Sequence, residues 1–318
     1  MMEEKKLLSF LDETIREYRS AGRWGTAHVY QSARNSFSLY NKGVDLPFRE
    51  LTPSLLLQYQ RHLLGRSLRQ NTVATYMKVL KAVYNRAVDE GAAPFIPRLF
   101  KGVRTSPVAE RRRALDAGAM GRILKESRSR PSGQGKGGRE THLACMAFAL
   151  MFLLRGIPFA DLIHLRKSDL RGDIITYCRL KTGRPMSVRL TSEARDLLCR
   201  LQAGSDPSSP YLLPVLTLPA GTGEAYREYQ AALRRFNRRL KPLGEACGTC
   251  SPLSSYAARH TWATLAYHCE VHPGVISEAM GHSSITVTET YLKPFSDRRI
   301  DLANRQVIDF VKASASAG

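Results

Sequence analysis

Residues 253–291 read LSSYAARHTWATLAYHCEVHPGVISEAMGHSSITVTETY, and three side chains of this segment guide the interpretation of the whole chain. Arg259 lies near its beginning, His282 follows a glycine, and Tyr291 comes nine residues after His282. Each of the three, taken alone, is typical of an ordinary helix surface. Their joint spacing within one short segment is what indicates a functional site.

These residue types suit the opening of a phosphodiester bond. The reaction needs charge stabilisation at the non-bridging oxygens and a nucleophile in line with the leaving oxygen. Arginine binds phosphate through a planar fork and keeps its proton. A free tyrosine has a pKa of about 10, so it is about one thousandth ionised at neutral pH, a shortfall of about 4 kcal/mol. Neighbouring cations must therefore lower its pKa, or a base must accept its proton.

The segment resembles the C-terminal signature of the tyrosine recombinases, the phage integrase family. The resemblance implies that Arg259 and His282 bind a DNA phosphate while Tyr291 attacks it. It also implies a lysine on a β-hairpin turn that protonates the leaving 5′ oxygen. Lys181, in the sequence Lys-Thr-Gly, matches that lysine. The alternative at this position is an exposed turn lysine without a catalytic role.

The chain departs from the family pattern at the first arginine. The family carries G-L-R-x-x-E, but here Pro158 lies three residues before the matching acid, Asp161. We predict that Arg155 takes the role of the missing arginine, because it directly precedes the turn. A long guanidinium side chain can span about one helical turn of 5.4 Å. Arg166 and Arg184 are the alternatives.

A second departure lies three residues before Arg259, where the family usually has histidine and this chain has Tyr256. A phenol can donate a hydrogen bond to phosphate, but it is a poor base at neutral pH. Tyr256 is therefore a possible catalytic residue that binds phosphate, or else the base function lies elsewhere. His260, adjacent to Arg259, is expected to be structural.

The charge of the chain favours a polyanionic partner. The 318 residues carry a formal net charge of +20, of which +10 falls in residues 1–113 and +10 in the remainder. Two basic domains in one chain fit a clamp around DNA, and the alternative is a basic surface without a partner. The longest apolar run, twelve residues from Leu143 to Leu154, is too short to span a bilayer. We expect a cytoplasmic protein with reduced thiols, since no secretion signal accompanies its six cysteines.

Hydrophobic periodicity predicts a mainly α fold with a small β-hairpin or sheet, that is, α+β. The resemblance adds a helical N-terminal core-binding domain over 1–103, a basic linker over 104–113, and a mixed helical catalytic domain of the integrase type over 114–318 with a C-terminal docking helix. The clearest predicted helix spans Thr72–Asp89, capped by Asn71 or Ser67, and another starts at Thr52-Pro53. Further helices are predicted at Leu115–Ser127, His142–Leu154, Phe159–Lys167, Ser192–Gln202, Tyr226–Leu240 and Ile300–Val311. Two short β-rich runs, Ile174–Tyr177 and Met186–Val188, predict the hairpin.

The start of the helix over Thr72–Asp89 gathers polar and basic side chains. A helix N-terminus with short hydroxyls and bases suits contact with phosphate. We therefore predict DNA-binding residues there, namely Arg69, Asn71, Thr72, Thr75 and Lys78.

A zinc site is the alternative for the cysteine and histidine residues. Cys247 and Cys250 form a C-x-x-C pair, and His268 and His272 follow. Such a set has the character of a zinc finger, although the middle spacing is longer than usual. We favour core cysteines and predict no metal.

The function expected from the resemblance is site-specific recombination, through a 3′-phosphotyrosyl intermediate, for integration, excision or inversion. The partners would be double-stranded DNA with specific recombination sites and further copies of the chain in a tetramer. The covalent link keeps the bond energy, so no cofactor is expected. The alternatives are a non-catalytic DNA-binding protein derived from a recombinase and, less favoured, a topoisomerase with the same chemistry.

Overall fold

The computed structural model describes residues 5–106, 108, 114–129, 136–203, 205–249, 252–282, 284, 286, 288 and 297–315. The chain divides into two compact units. The first unit comprises residues 1–111 and 218–228, and the second comprises residues 112–217 and 229–318. Among the described residues, no helix is both long enough and apolar enough to cross a membrane.

The first unit is helical. Its helices are α1 (Leu7–Ser20), α2 (Trp24–Tyr40), a 3-10 turn (Phe48–Glu50), α3 (Pro53–Gly65) and α4 (Gln70–Asp89). Aromatic side chains dominate its core: the rings of Phe10 and Phe48 meet edge to face, and so do those of Phe37 and Tyr59. The predicted start of α3 is confirmed, because the Thr52 hydroxyl accepts a hydrogen bond from the first turn.

The second unit combines helices with one small sheet. Its elements in order are α5 (Ala117–Arg128), α6 (Lys136–Leu153), α7 (Phe159–His164), a 3-10 turn (Lys167–Asp169), β1 (Leu170–Arg171), β2 (Ile174–Cys178), β3 (Pro185–Arg189), α8 (Ser192–Gln202), α9 (Gly223–Ala246, beginning within the first unit), α10 (Ser255–His268), α11 (Pro273–Ala279) and α12 (Asp297–Ala315). The apolar helix α6 is central, since it packs against α5, α8 and α10. The mainly α fold with a small sheet is thereby confirmed.

The sheet is antiparallel with strand order β1-β2-β3. In the β2–β3 pair, Ile175 lies opposite Val188 and Cys178 lies opposite Pro185, so the hairpin turn starts at residue 179. Ile175 and Val188 are both buried and face the core of the second unit. This register places the turn that carries Lys181 at the end of the sheet.

Several details of the predicted elements are wrong. Helix α6 begins at Lys136 rather than His142, and helices α9 and α12 extend at both ends beyond the predicted Tyr226–Leu240 and Ile300–Val311. Neither Asn71 nor Ser67 caps α4: the N-cap residue is Arg69, and it makes no side-chain cap hydrogen bond. Helix α7 ends at His164 rather than Lys167, because the chain at Leu165 and Arg166 pairs with residues 211–212 instead. Helix α5 begins two residues later than predicted, since the Asp116 carboxylate accepts a hydrogen bond from Ala119 and acts as its cap.

Candidate active site

Arg259 lies on the buried face of α10. Its neighbours Ala257 and Ala258 are small and buried, and only 3% of Arg259 itself is exposed. Its Nη1 donates to the Gly156 carbonyl at 3.0 Å, and its Nη2 donates to the Met280 carbonyl at 2.6 Å. The guanidinium is thus fixed in advance, which is what stabilisation of developing charge requires.

Gly156 allows the approach of α10. Its φ is +70°, and a Cβ at this position would lie 2.8 Å from the Cα of Arg259. No other residue type fits both the backbone angle and the space. The Arg-Gly-Ile-Pro turn predicted from the sequence therefore forms one wall of the arginine site.

A second buried arginine, Arg179, comes directly after β2. Its Nε donates to Asp161 Oδ2 at 3.2 Å, and its Nη1 donates to the carbonyls of Met280 at 2.9 Å and Gly281 at 3.2 Å. The Met280 carbonyl therefore accepts hydrogen bonds from both Arg179 and Arg259. The two guanidinium groups, which come from different elements, meet at a single oxygen atom.

Asp161 compensates part of this positive charge. It lies in the first turn of α7, where the helix dipole favours an anion, and only 4% of it is exposed. Besides the ion pair with Arg179, its Oδ1 accepts a hydrogen bond from the Leu180 amide at 3.0 Å. The carboxylate thus anchors the start of the hairpin turn.

His282 follows Gly281 and is 6% exposed. Its amide donates to the Ser277 carbonyl at 2.9 Å, and its own carbonyl accepts from Arg184 Nη1 at 2.6 Å. Its Nδ1 lies 2.8 Å from the hydroxyl of Thr288. Burial, together with the charges of Arg259 and nearby bases, lowers the pKa of His282 to about 4, so its ring is neutral at pH 7.

Gly281 brings the histidine segment against the hairpin. Its φ is +64°, and a Cβ there would lie 2.6 Å from Met186 Sδ and 2.8 Å from Arg179 Cδ. Only glycine allows β3, the hairpin turn and the residue before His282 to pack this closely.

The hairpin turn carries Lys181. The Arg179 amide donates to the Arg184 carbonyl at 2.9 Å, and the Gly183 amide donates to the Arg179 carbonyl at 2.8 Å, which closes the turn. Lys181 itself is exposed, and its charge is among those that lower the pKa of His282. Lys181, Arg179, Arg259 and His282 are therefore gathered in one region of the second unit.

Family models match both parts of the chain. Residues 6–98 match the phage integrase SAM-like domain, and residues 115–298 match the phage integrase family, which is more than half of the chain. The chain belongs to the phage integrase family. It is a tyrosine-type site-specific recombinase.

Solved structures show the same fold. The Tn1549 transposon integrase in complex with a circular intermediate DNA is 14% identical, with 95% of this chain and 99% of that chain covered and a TM-score of 0.67. A lambda integrase dimer bound to a COC′ core site is 17% identical, with 90% and 77% covered and a TM-score of 0.60. A lambda integrase tetramer bound to a Holliday junction is 16% identical, with 93% and 80% covered and a TM-score of 0.63. The search of curated proteins finds no match.

The three arginines considered for the missing position lie in different surroundings. Arg155 has a φ of +58°, and its Nη1 donates to the Ser187 carbonyl on β3 at 3.3 Å. Arg166 is exposed, and Arg184 holds the His282 carbonyl. The role of Arg155 stays a prediction, since the arginine that shares an acceptor with Arg259 is Arg179.

Arg179 is not among the residues predicted from the sequence, although a signal for it exists. Side chains alternate between the two faces of a strand, so residue 179 follows Ile175 and Tyr177 on the inward face. A base at an inward position needs a buried acid, and Asp161 is the acid that matches the family motif. Tyr177 packs against the core of the second unit, and burial raises its pKa.

None of these contacts tests a catalytic role, so the roles of Arg259, Lys181 and His282 stay predictions, and so do those of two further residues. Tyr256 is 48% exposed, and its ring meets that of His260 edge to face at 4.6 Å between centroids. Tyr291, the predicted nucleophile, lies outside the described residues. Both roles stay predictions.

The predicted DNA-binding residues surround the beginning of α4. Arg69, Thr75 and Lys78 are exposed there, and Thr72 is half-buried. Asn71 differs from them: its side chain donates to the Val108 carbonyl at 3.0 Å and accepts from the Val108 amide at 2.7 Å. The side chain of Asn71 therefore holds the backbone at Val108, in the segment after α4.

The zinc alternative finds no support among the described residues, which contain no group of three or more potential ligands that could hold a metal ion. Cys250 lies outside them. Cys247 is buried in the apolar core, whereas His268 and His272 are exposed. His272 Nδ1 accepts a hydrogen bond from the Gly274 amide and so caps α11.

Proposed function

We propose that this recombinase cuts and rejoins DNA at specific sites through a 3′-phosphotyrosyl intermediate formed by Tyr291. The observation that carries the proposal is the meeting of Arg179 and Arg259 at the Met280 carbonyl, two residues before His282. Two preorganised guanidinium groups in a buried site suit an oxyanion more than any other reacting group.

In the proposed reaction, the Tyr291 oxygen bonds to phosphorus while the bond from phosphorus to the 5′ oxygen breaks. The phenolic proton leaves for solvent or a base, and the Lys181 ammonium gives its proton to the leaving oxygen. Arg259, Arg179 and His282 hold the non-bridging oxygens. A 5′ hydroxyl of the partner strand then attacks the phosphotyrosine and reverses the step.

Arg179 is proposed as the residue that replaces the missing first arginine, and Arg155 is kept as the alternative. Arg179 is tied to Asp161 and to two carbonyls, and no hydrogen bond is recorded for its Nη2 within the described residues. A guanidinium held at Nε and Nη1 with a further N–H group to offer is suited to a phosphate oxygen. Arg155 instead donates to the backbone of β3.

DNA and further copies of the chain are the proposed partners. The structural relatives include integrases in complex with DNA and a lambda integrase tetramer on a Holliday junction.

We propose residues 1–103 as the core-binding domain, 104–113 as the linker and 114–318 as the catalytic domain. Helix α12 presents exposed apolar side chains for docking on a neighbouring copy, namely Leu302, Val307, Ile308 and Val311.

The test is covalent trapping on a nicked duplex that carries a site selected by the protein from random-sequence DNA. Tyr291→Phe removes only the nucleophilic oxygen, so it should bind the duplex like the wild type and form no adduct. Tyr256→Phe is the matched control: it can remove a hydrogen bond to phosphate but not the nucleophile, so it should still form the adduct. An adduct with Tyr291→Phe would show that another tyrosine is the nucleophile.

A further inference from the structure

The contact between His282 and Thr288 is buried on both sides. His282 is 6% exposed and Thr288 is 0% exposed, and 2.8 Å separate Nδ1 from the threonine hydroxyl oxygen. A hydroxyl can either donate to a bare Nδ1 or accept from a protonated one. In the first case Nε2 of the neutral ring carries the proton and can donate a hydrogen bond. In the second case Nε2 is bare and can only accept a hydrogen bond or a proton.

The hydrogen-bonding needs of Thr288 indicate the direction. Its hydroxyl has one proton to donate, and a buried donor without an acceptor is costly. Within the described residues, His282 Nδ1 is the one partner recorded for this hydroxyl. If Nδ1 carried a proton and donated it to the hydroxyl oxygen, the hydroxyl proton of Thr288 would have no acceptor among the described residues. If Thr288 donates, both groups are satisfied.

We propose that Thr288 is a positioning residue that donates to Nδ1 and thereby holds His282 as the tautomer with its proton on Nε2. His282 then acts on the scissile phosphate as a hydrogen-bond donor and not as the base for Tyr291. The inference rests on the proposed function, in which His282 binds the phosphate, and it assigns the histidine one of two opposite roles.

The charges around His282 support a neutral donor. Arg259, Arg179, Arg184 and Lys181 all act on the ring, and they and burial lower its pKa. A ring in such surroundings accepts a second proton only at low pH. As a base, His282 would become positively charged beside these cations, which is unfavourable. A donor function needs no change of charge, because the Nε2 proton stays on the ring throughout.

The matched variants are Thr288→Val, which keeps the shape and removes the hydroxyl, and Thr288→Ser, which restores a hydroxyl. Thr14→Val is the control, because Thr14 is also buried and its hydroxyl donates to the Phe10 carbonyl in the first unit. The tautomer is read from the ¹⁵N chemical shifts of the ring at pH 7, where bare and protonated nitrogens differ widely. A His282→Gln difference spectrum assigns the signals.

We expect the wild type and Thr288→Ser to show the proton on Nε2, and Thr288→Val to show a mixture of both tautomers. Adduct formation on the nicked duplex should fall about tenfold in Thr288→Val and recover in Thr288→Ser, with Thr14→Val unchanged. A wild-type spectrum with the proton on Nδ1 would overturn the proposal, even if no Thr288 variant folded. So would a Thr288→Val protein with an altered tautomer and unaltered cleavage.

Failure of the proposed function would look different. If Tyr291→Phe still formed an adduct, the nucleophile would be wrong while the tautomer result would stand. If the tautomer result failed while Tyr291→Phe formed no adduct, the recombinase mechanism would stand and His282 would have the other role.

Discussion

Replacing Arg179 tests whether this residue supplies the second guanidinium of the site. A simple truncation would be ambiguous, because Asp161 is 3% exposed at its side chain and would lose its ion-pair partner. Breaking a buried pair from one side costs about 3–5 kcal/mol, a large part of the roughly 5–15 kcal/mol that stabilise a typical domain. Loss of activity in Arg179→Ala could therefore reflect unfolding.

Arg179→Lys avoids this difficulty. A lysine keeps a positive charge beside Asp161 but loses the planar fork that reaches Met280 and Gly281. Losing those hydrogen bonds should cost about 2 kcal/mol of stability, which the protein can tolerate. Losing one preorganised donor should lower the cleavage rate by about 10²–10³, equivalent to about 3–4 kcal/mol in the barrier.

A second variant removes the charges together. Arg179→Met combined with Asp161→Asn leaves no unpaired buried charge, so it should fold about as well as the wild type. Its cleavage should be reduced at least as much as that of Arg179→Lys. Thermal unfolding of both proteins, measured beside cleavage, separates stability from catalysis.

The assay is the rate of adduct formation on the nicked duplex, with DNA affinity measured in parallel. Arg155→Ala and the exposed control Arg166→Ala should stay within about tenfold of the wild type, because neither guanidinium touches the Met280 carbonyl. If Arg179→Lys cleaves normally while Arg155→Ala is inactive, the role belongs to Arg155 as the sequence predicts. If Arg179→Lys, Arg155→Ala and Arg166→Ala all cleave normally, either Arg184 supplies the second guanidinium or the site works with Arg259 alone.

Three further predictions follow from the geometry and charge. Gly156→Ala should destabilise the protein by about 2 kcal/mol and lower cleavage at least tenfold, because its Cβ meets Arg259; Gly172→Ala, with a φ of +57° but open space, should cost about 1 kcal/mol and leave cleavage intact. Equal effects of the two alanines would contradict the packing argument. His282, with its folded pKa of about 4 below the ordinary 6.5, should contribute stability that is present above pH 6.5 and is lost as the pH falls towards 4, by about 3 kcal/mol at most. Between pH 6.5 and pH 4 the unfolding free energy of the wild type should therefore fall more steeply than that of His282→Gln. Parallel plots of unfolding free energy against pH would count against the lowered pKa. Binding to non-specific duplex should weaken steeply with salt, with a log–log slope of about −0.9 per phosphate contacted; a nearly flat response would contradict a basic clamp.

Local patterns predicted most of the elements. Helix periodicity located α4 and α8, and the Thr52-Pro53 pair gave the start of α3, because these signals depend on neighbouring residues alone. The hairpin also followed from alternation and a glycine turn. The end of α7 did not, since it depends on pairing with residues 211–212, which lie far along the chain.

The residues of the candidate site that belong to a sequence motif could be predicted, whereas those that meet the site through tertiary packing could not. Arg259 and His282 could be named from spacing, and both are buried as a shared site requires. The proposed partner arginine could not be found near Pro158, because Arg179 comes from the start of the hairpin turn. The bond between His282 and Thr288 likewise needs the tertiary structure, although the two residues are six apart.

The acid of the family motif supports the proposal that Arg179 replaces the missing arginine. Asp161 keeps its place in the first turn of α7, and Pro158 serves as the N-cap residue of that helix. Asp161 binds both the guanidinium of Arg179 and the amide of Leu180, so it holds the whole start of the hairpin turn against the segment before His282. Arg179, held in this position, donates to the Met280 carbonyl, as Arg259 does. The proposed reaction requires two guanidinium groups around one phosphate, and the residue after β2 can supply the second one because Asp161, which orients it, is kept.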